Sequence, residues 1–201
     1  MQKTADKLSS GSETSAPGMA AIVGLSPEQV EKLIVEWKTE GFNDIYTANI
    51  NSPRQSVVSG TSSALEQAEI RFKEAGAKHV IRLQVSGPFH SPLMADAVEA
   101  FLPALEAVTF RDPAITIFSN VTGKKITSGA EAKKLAIQQI TKPVRWIEIE
   151  QNIAALGIKA CLETGPGKVL QGLWRDLKNN VPFYSAGTAE DIHLLMCQNK
   201  I

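Results

Sequence analysis

The succession of apolar segments and turn residues between positions 19 and 85 constrains the fold more than any other feature of the sequence. A short apolar run at 19–25 has the length of a strand. Ser26 and Gln29 then form a capping-box pattern, in which each side chain can bind the backbone of the other at a helix start. Apolar residues at helical spacing follow until Gly41, a typical helix terminator. The pattern predicts a strand followed by an amphipathic helix.

The same kind of unit continues to residue 85. Two strands are predicted at 45–50 and 55–60, joined by a turn at 51–54 that contains proline. Thr61 or Ser62 then caps a second helix, and the alternating segment 79–85 predicts a fourth strand. The order β-α-β-β-α-β is that of a ferredoxin-like fold, in which two helices cover one face of a small sheet.

After residue 85 the period changes, and helices alternate with short strands, which predicts an α/β layer with a parallel sheet. The whole chain is therefore predicted to be α/β (α+β), with a flexible polar leader at 1–18, a ferredoxin-like subdomain at 19–85 and a second subdomain at 86–201. Residues 193–201 carry no clear pattern. The elements predicted in the second subdomain are helices at 91–108, 130–140, 146–156 and 168–177 and strands at 115–118, 160–163 and 181–185.

Composition excludes several classes of protein. Lys and Arg total 21, as do Asp and Glu, so the net charge is zero, which argues against a general nucleic-acid partner. No apolar run approaches the length of a membrane span, so no membrane association is expected. Cys161 and Cys197 form neither a disulfide framework nor a C-x-x-C zinc motif, and metal-ligand spacing is absent. These features predict a cytoplasmic protein with no metal.

His90 is the histidine with the most suggestive position. It follows Gly87-Pro88-Phe89 and lies between a predicted strand and a predicted helix. Loops of this kind often display catalytic groups on a rigid scaffold, although a packing role fits the position as well. His79 is expected on the solvated surface, and His193 has no recognisable partner.

A second candidate is the glycine-rich turn Gly165-Pro166-Gly167 that follows a strand ending at Glu163. A helix begins directly after it, so backbone N–H groups at this turn can bind an anion. The glycine spacing differs from that of a P-loop, and the alternative is a simple tight connection.

Five segments of this sequence occur together in a known family. Read in order, they are MAAIVGL, NINSPRQSVVSG, VSGPFHSPLM, ITKPVRW and ETGPGKVLQGL. This succession resembles the malonyl-CoA:acyl carrier protein transacylases over residues 18–186. The resemblance implies a ferredoxin-like subdomain together with the C-terminal part of an α/β-hydrolase-like acyltransferase subdomain.

The resemblance also implies roles for individual residues. His90 matches the catalytic histidine, which acts first as general base and then as general acid. Gln139 matches a position whose backbone carbonyl orients that histidine. Phe89 matches a position that favours an unbranched malonyl unit, and Asn51 and Gln55 match a hairpin that binds the thioester arm. The implied substrate is malonyl-CoA, the implied partner is acyl carrier protein, and no cofactor is implied.

One family motif has no counterpart in the sequence. The nucleophilic serine of the family lies in a G-H-S-x-G turn, and no G-x-S-x-G occurs in the 201 residues. The loop that contributes to the oxyanion hole and the arginine that pairs with the malonyl carboxylate also have no counterpart here. The chain is therefore expected to resemble the C-terminal portion of such an enzyme, with a separate N-terminal segment as a further partner.

Three hypotheses remain open at this point. The chain is part of an S-malonyltransferase of fatty acid or polyketide biosynthesis, a non-catalytic module that binds a carrier protein, or an inactive truncated gene product. Without the central strands of the larger sheet, residues 86–186 are expected to leave strand edges and an apolar face unpaired, and so to make the isolated chain unstable or prone to aggregate.

Overall fold

The computed structural model describes residues 16–198 and Lys200. The predicted leader falls almost entirely on residues 1–15, which lie outside the described residues. The described chain begins with six elements in the predicted order. These are β1 Gly18–Val23, α1 Pro27–Thr39, β2 Ile45–Ser52, β3 Gln55–Gly60, α2 Ser62–Glu74 and β4 His79–Arg82.

The four strands form one antiparallel sheet with the order β2-β3-β1-β4. β1 lies at the centre and pairs with β3 from Gly18↔Gly60 to Val23↔Gln55, and with β4 on its other side. This is the strand order of a ferredoxin-like fold, so the prediction for this part of the chain is confirmed.

The two helices pack against one face of the sheet. Ile22 and Val58 from the strands contact Val30 of α1 and Phe72 of α2 in one apolar cluster, and all four side chains are buried. Alternation along each strand places their neighbours on the opposite face. There, a second and smaller cluster contains Met19, Ala21, Ala48 and Val57, with Phe89 packed against it.

The predicted helix caps are present. The Ser26 backbone N–H donates to Oε1 of Gln29 at 2.8 Å, and the Gln29 N–H donates to Oγ of Ser26 at 3.3 Å. At the second helix, Oγ1 of Thr61 accepts from the Ala64 N–H at 3.3 Å, so Thr61 rather than Ser62 is the cap. Each cap satisfies backbone donors that a helix start otherwise leaves unpaired.

The rest of the described chain is mostly helical, with one small parallel sheet. β5 and β6 pair in parallel from Cys161↔Phe183 to Glu163↔Ser185, as the α/β pattern predicts. The elements in order are a 3₁₀ helix Pro92–Met94, α3 Ala95–Glu106, α4 Gly129–Gln139, α5 Trp146–Ala154, β5 Cys161–Glu163, α6 Val169–Asp176, β6 Phe183–Ser185 and α7 Ala189–Cys197.

Three local predictions are wrong. The segment 115–118 is not a strand: its alternating side chains find no neighbouring strand among the described residues, and only Phe118 forms a bridge, with Lys125. Residues 193–197, expected to carry no pattern, belong to α7, which Thr188 caps through Asp191. Asn51 lies within β2 rather than in the turn, because pairing continues to Ser52↔Gln55.

The second part of the chain attaches to the edge of the four-stranded sheet at β2. The Ile50 N–H donates to the Val144 carbonyl, and the Val144 N–H donates to the Ala48 carbonyl, each at 2.8 Å. The boundary predicted at residues 85 and 86 stays a prediction. None of the helices among the described residues is long and apolar enough to cross a membrane.

Several apolar side chains of the second part are exposed. The most exposed of them are Ile115 and Val169, and β5 and β6 pair with no third strand among the described residues. Exposed apolar side chains and a two-stranded sheet agree with the expectation for this part of the chain, whereas a continuous apolar face and instability or aggregation of the isolated chain stay predictions.

Glu150 on α5 is a buried carboxylic acid that the sequence analysis did not identify. It is 1% exposed, and its Oε1 accepts from Nε1 of Trp146 at 2.8 Å, whereas Oε2 has no hydrogen-bond partner among the described residues. The pKa of Glu150 is raised to about 7: burial has the largest effect and raises it, the Trp146 hydrogen bond opposes this, and the charge of Asp176 adds a smaller upward effect. A carboxyl in such a site stays protonated up to a pH well above the range in which carboxyl groups usually lose their proton.

This carboxyl predicts a fall in stability as the pH rises. An unfolded glutamate loses its proton near pH 4.5, whereas folded Glu150 keeps it until about pH 7. Between these values the unfolded chain binds fewer protons, so the free energy of unfolding decreases with pH, by at most about 3 kcal/mol in all. Urea unfolding of the wild type and Glu150→Gln at pH 5 and pH 8 measures this difference. The decrease in the free energy of unfolding between pH 5 and pH 8 should be smaller in Glu150→Gln than in the wild type, and unchanged in the control Glu99→Gln. An equal decrease in Glu150→Gln and the wild type would contradict the role of Glu150.

Candidate active site

His90 lies in a short loop that two serines hold in place. Oγ of Ser91 donates to the Pro88 carbonyl at 2.6 Å, and Oγ of Ser59 on β3 donates to the Phe89 carbonyl at 2.5 Å. Both serines are buried. His90 itself has a φ of 59°, in the left-handed region that non-glycine residues seldom adopt. Strained backbone of this kind persists where the surroundings hold it, and it is frequent at active sites.

The imidazole of His90 contacts the C-terminus of α4. Nδ1 lies 2.8 Å from the backbone oxygen of Gln139, the last residue of that helix. The last four carbonyls of a helix lack partners within the helix, so this oxygen is free to accept a hydrogen bond. Sequence and structure thus bring together two residues that lie 49 positions apart.

This contact determines which ring nitrogen carries the proton. A carbonyl oxygen only accepts, so Nδ1 is the donor, and in the neutral ring the lone pair is then on Nε2. The side-chain Nε2 of Gln139 also lies 3.1 Å from Nδ1 of His90. Two donors cannot form a hydrogen bond with each other, so the ring N–H pairs with the closer backbone oxygen, while this amide nitrogen also lies 3.5 Å from the Lys142 carbonyl, to which it can donate. Among the described residues no hydrogen bond reaches Nε2 of His90, which is therefore available to a reacting group.

His90 lines a cleft of about 330 Å³ between α1, β2 and the 141–143 segment. From β2, Tyr46 and Thr47 line this cleft. Asn51 and Gln55 are half-buried further along the hairpin and do not line it. The role predicted for Asn51 and Gln55 stays a prediction. Phe89 packs against the smaller sheet cluster that contains Met19, and against a further cluster formed by Met94, Ala97 and Ile140, so its ring also holds the loop against the sheet.

The anion bound at the glycine-rich turn is a side chain of the protein itself, the Glu163 carboxylate. The Glu163 carboxylate at the end of β5 accepts from the Leu170 N–H at 3.1 Å and from the Gln171 N–H at 2.9 Å. Gly165 and Gly167 adopt positive φ values, which let the chain reverse and bring the start of α6 over this carboxylate. The N–H groups expected to bind an external anion therefore bind Glu163.

We expect Glu163→Ala to destabilise the protein by about 2 kcal/mol, because two partly buried N–H groups at the start of α6 lose a charged acceptor. Urea unfolding at constant pH measures the change. The neighbouring Thr164 is exposed, so Thr164→Ala is the matched control and should stay within about 0.5 kcal/mol of the wild type. Equal stability of the two variants would show that Glu163 does not hold the turn.

Comparison with known proteins identifies the family. A family model described as acyl transferase domain matches residues 11–189. The chain belongs to the acyl transferase domain family. This confirms the resemblance found in the five sequence segments. No group of three or more His, Cys, Asp or Glu side chains suited to a metal occurs in the part of the chain that the structure describes.

Similar members of the acyl transferase domain family are longer than this chain. The malonyl CoA-acyl carrier protein transacylase of Bacillus subtilis strain 168 is 39% identical over 176 residues, which are 88% of this chain and 55% of that protein. The crystal structure of FabD from Acinetobacter baumannii aligns with a TM-score of 0.87 at 30% identity, over 98% of this chain and 61% of that chain. The chain thus spans little more than half the length of these relatives.

A second similar structure contains a carrier protein. It is described as a malonyl-transacylase in complex with its type II PKS acyl-carrier protein. It aligns with a TM-score of 0.85 at 31% identity, over 97% of this chain and 62% of that chain.

Proposed function

We propose that this chain provides the histidine of an S-malonyltransferase that moves malonyl from coenzyme A to the thiol of an acyl carrier protein. The observation that carries the proposal is the 2.8 Å contact between Nδ1 of His90 and the Gln139 carbonyl. It leaves Nε2 with the lone pair that a general base requires. The names of the relatives supply the substrate and the carrier protein.

In the proposed reaction, His90 moves one proton in each direction. The hydroxyl of a serine on a G-x-S-x-G segment gives its proton to Nε2 of His90 while Oγ attacks the thioester carbonyl of malonyl-CoA. The C–S bond then breaks, and Nε2 returns the proton to the coenzyme A sulfur. The products are a malonyl-serine ester and free coenzyme A.

The second half runs the same steps with another thiol. The thiol of the carrier protein gives its proton to Nε2 and attacks the ester, and the proton then passes to the serine oxygen as that bond breaks. The Gln139 carbonyl stabilises the positive imidazolium in both halves, a task that aspartate performs in other triads. The reaction is complete without a metal or cofactor, and we place it in the cytoplasm.

The remaining site residues have supporting roles in this proposal. Phe89, next to His90, selects an unbranched malonyl unit, and Asn51 and Gln55 bind the thioester arm. The proposed division of labour follows the predicted subdomains, with 19–85 as the ferredoxin-like part and 86–201 as the part that carries His90.

Intact mass measurement with malonyl-CoA and holo carrier protein tests the proposal. The chain alone should acquire no malonyl group, because its 201 residues contain no G-x-S-x-G. Addition of a separately expressed G-x-S-x-G segment from the same family should produce malonyl-carrier protein. A malonyl adduct on a serine of the isolated chain would show that the nucleophile lies within it.

A carrier-binding module without catalysis is the second candidate, and the missing G-x-S-x-G motif favours it. Under this alternative, the chain binds the carrier protein, yet no malonyl transfer follows when the added segment associates with it. Binding measured by calorimetry beside the mass assay therefore separates the two functions.

A further inference from the structure

His90 and Gln139 are each connected to the four-stranded sheet, through adjacent strands. On the His90 side, Oγ of Ser59 on β3 binds the Phe89 carbonyl at 2.5 Å. On the Gln139 side, Val144 pairs with β2 through the two 2.8 Å backbone bonds to Ala48 and Ile50. β2 and β3 are hydrogen-bonded neighbours. The distance between the His90 imidazole and the Gln139 carbonyl therefore depends on the pairing of β2 with β3.

We propose that Ser59 is a positioning residue for His90, an inference that rests on the proposed role of His90 in proton transfer. The Phe89 carbonyl belongs to the peptide bond that joins residues 89 and 90. Rotation of that peptide changes φ of His90 directly, so a hydrogen bond to its oxygen holds the unusual φ of 59°. Ser59 is the donor to this oxygen among the described residues.

Burial makes this hydrogen bond hard to replace. Ser59 is 0% exposed, and its hydrogen bond to the Phe89 carbonyl lies in a partly buried region. A carbonyl that loses its donor there is destabilised, which favours rotation of the peptide toward another donor. The Phe89 ring packs between Met19, Ala21, Ala48 and Val57 on one side and Met94, Ala97 and Ile140 on the other. Ring packing restrains the side chain, whereas Ser59 determines the direction of the carbonyl.

The same strand offers a matched control. Ser56 is also 0% exposed on β3, but its Oγ has no hydrogen-bond partner among the described residues. Ser56→Ala and Ser59→Ala therefore remove the same buried group from one strand, and only the second removes a contact with the His90 loop.

The test measures the Nδ1–H proton of His90 by nuclear magnetic resonance on the full chain. Loss of one net hydrogen bond should make exchange of this proton about fivefold faster in Ser59→Ala. Its resonance should also shift, whereas Ser56→Ala should match the wild type. In the transfer assay with the added G-x-S-x-G segment, we expect kcat to fall about tenfold in Ser59→Ala at unchanged KM, because only the orientation of the base is disturbed.

Ser59→Thr separates positioning from packing, because it keeps the hydroxyl and should restore slow exchange. Equal exchange in Ser59→Ala and the wild type, or equally fast exchange in Ser59→Thr and Ser59→Ala, would overturn the proposal. If Ser59→Ala does not fold, Ser59→Cys takes its place, because a thiol is a weaker donor than a hydroxyl. Exchange of the His90 Nδ1–H proton should then be faster than in the wild type by less than about fivefold. Exchange at the wild-type rate in Ser59→Cys would also overturn the proposal. Failure of transfer in the wild type would refute the proposed function but leave the resonance comparison decisive for Ser59.

Discussion

His90→Ala should reduce malonyl transfer by a factor of roughly 10²–10⁴ in the mixture of this chain with a G-x-S-x-G segment. The substitution removes Nε2, which in the proposed reaction takes the serine proton and returns it to the leaving sulfur. The substitution also removes the contact between Nδ1 and the Gln139 carbonyl, an oxygen that lies in a partly buried region at the end of α4. The quantity to measure is the initial rate of malonyl-carrier formation by mass spectrometry.

Two variants make this result specific. His193→Ala removes an exposed histidine of α7 and should leave the rate unchanged. His90→Gln keeps a polar side chain of similar length, yet it has no group that titrates near neutral pH, so it should be as slow as His90→Ala. A transfer rate in His90→Ala within a factor of two of the wild type would exclude His90 as the general base.

Local signals in the sequence were sufficient for most of the fold. Ser26 and Gln29 form the predicted capping box, and the short apolar run at 19–25 contains most of β1. The start of α7 has the same kind of signal in Thr188 and Asp191, but with aspartate in place of the more usual glutamate or glutamine. Segment 115–118 shows the opposite error, because alternation predicts a strand only where a neighbour supplies hydrogen bonds.

The site was less accessible to local reasoning. Position alone left His90 open between catalysis and packing, and only the family resemblance paired it with Gln139, which lies 49 residues away. The bond from Ser59 to the Phe89 carbonyl spans 30 residues and has no pattern in the sequence. At the glycine-rich turn the sequence predicts the N–H donors, but it marks their partner Glu163 only as the end of the preceding strand. Contacts between distant side chains depend on the tertiary structure, which no window of sequence contains.

Phe72→Ala should destabilise the ferredoxin-like part by about 4 kcal/mol, the typical cost of removing a fully buried phenylalanine. Phe72 is 0% exposed on α2, and its ring lies 4.7 Å from that of Trp37 on α1. The substitution leaves a cavity between both helices and the sheet, which cannot collapse because strands and helices are fixed by their own hydrogen bonds. Urea unfolding followed by circular dichroism measures the loss.

Ile70 provides the comparison on the same helix. It is 60% exposed, although it belongs to the apolar pattern of α2, so Ile70→Ala should change stability by less than about 0.5 kcal/mol. A smaller loss for Phe72→Ala than for Ile70→Ala would mean that the helix packs through a different face. Because Ser59 and Ala48 lie on strands of this sheet, Phe72→Ala should also accelerate exchange of the His90 Nδ1–H proton. Such coupling would show that the core between the helices and the sheet supports the geometry of His90 and Gln139.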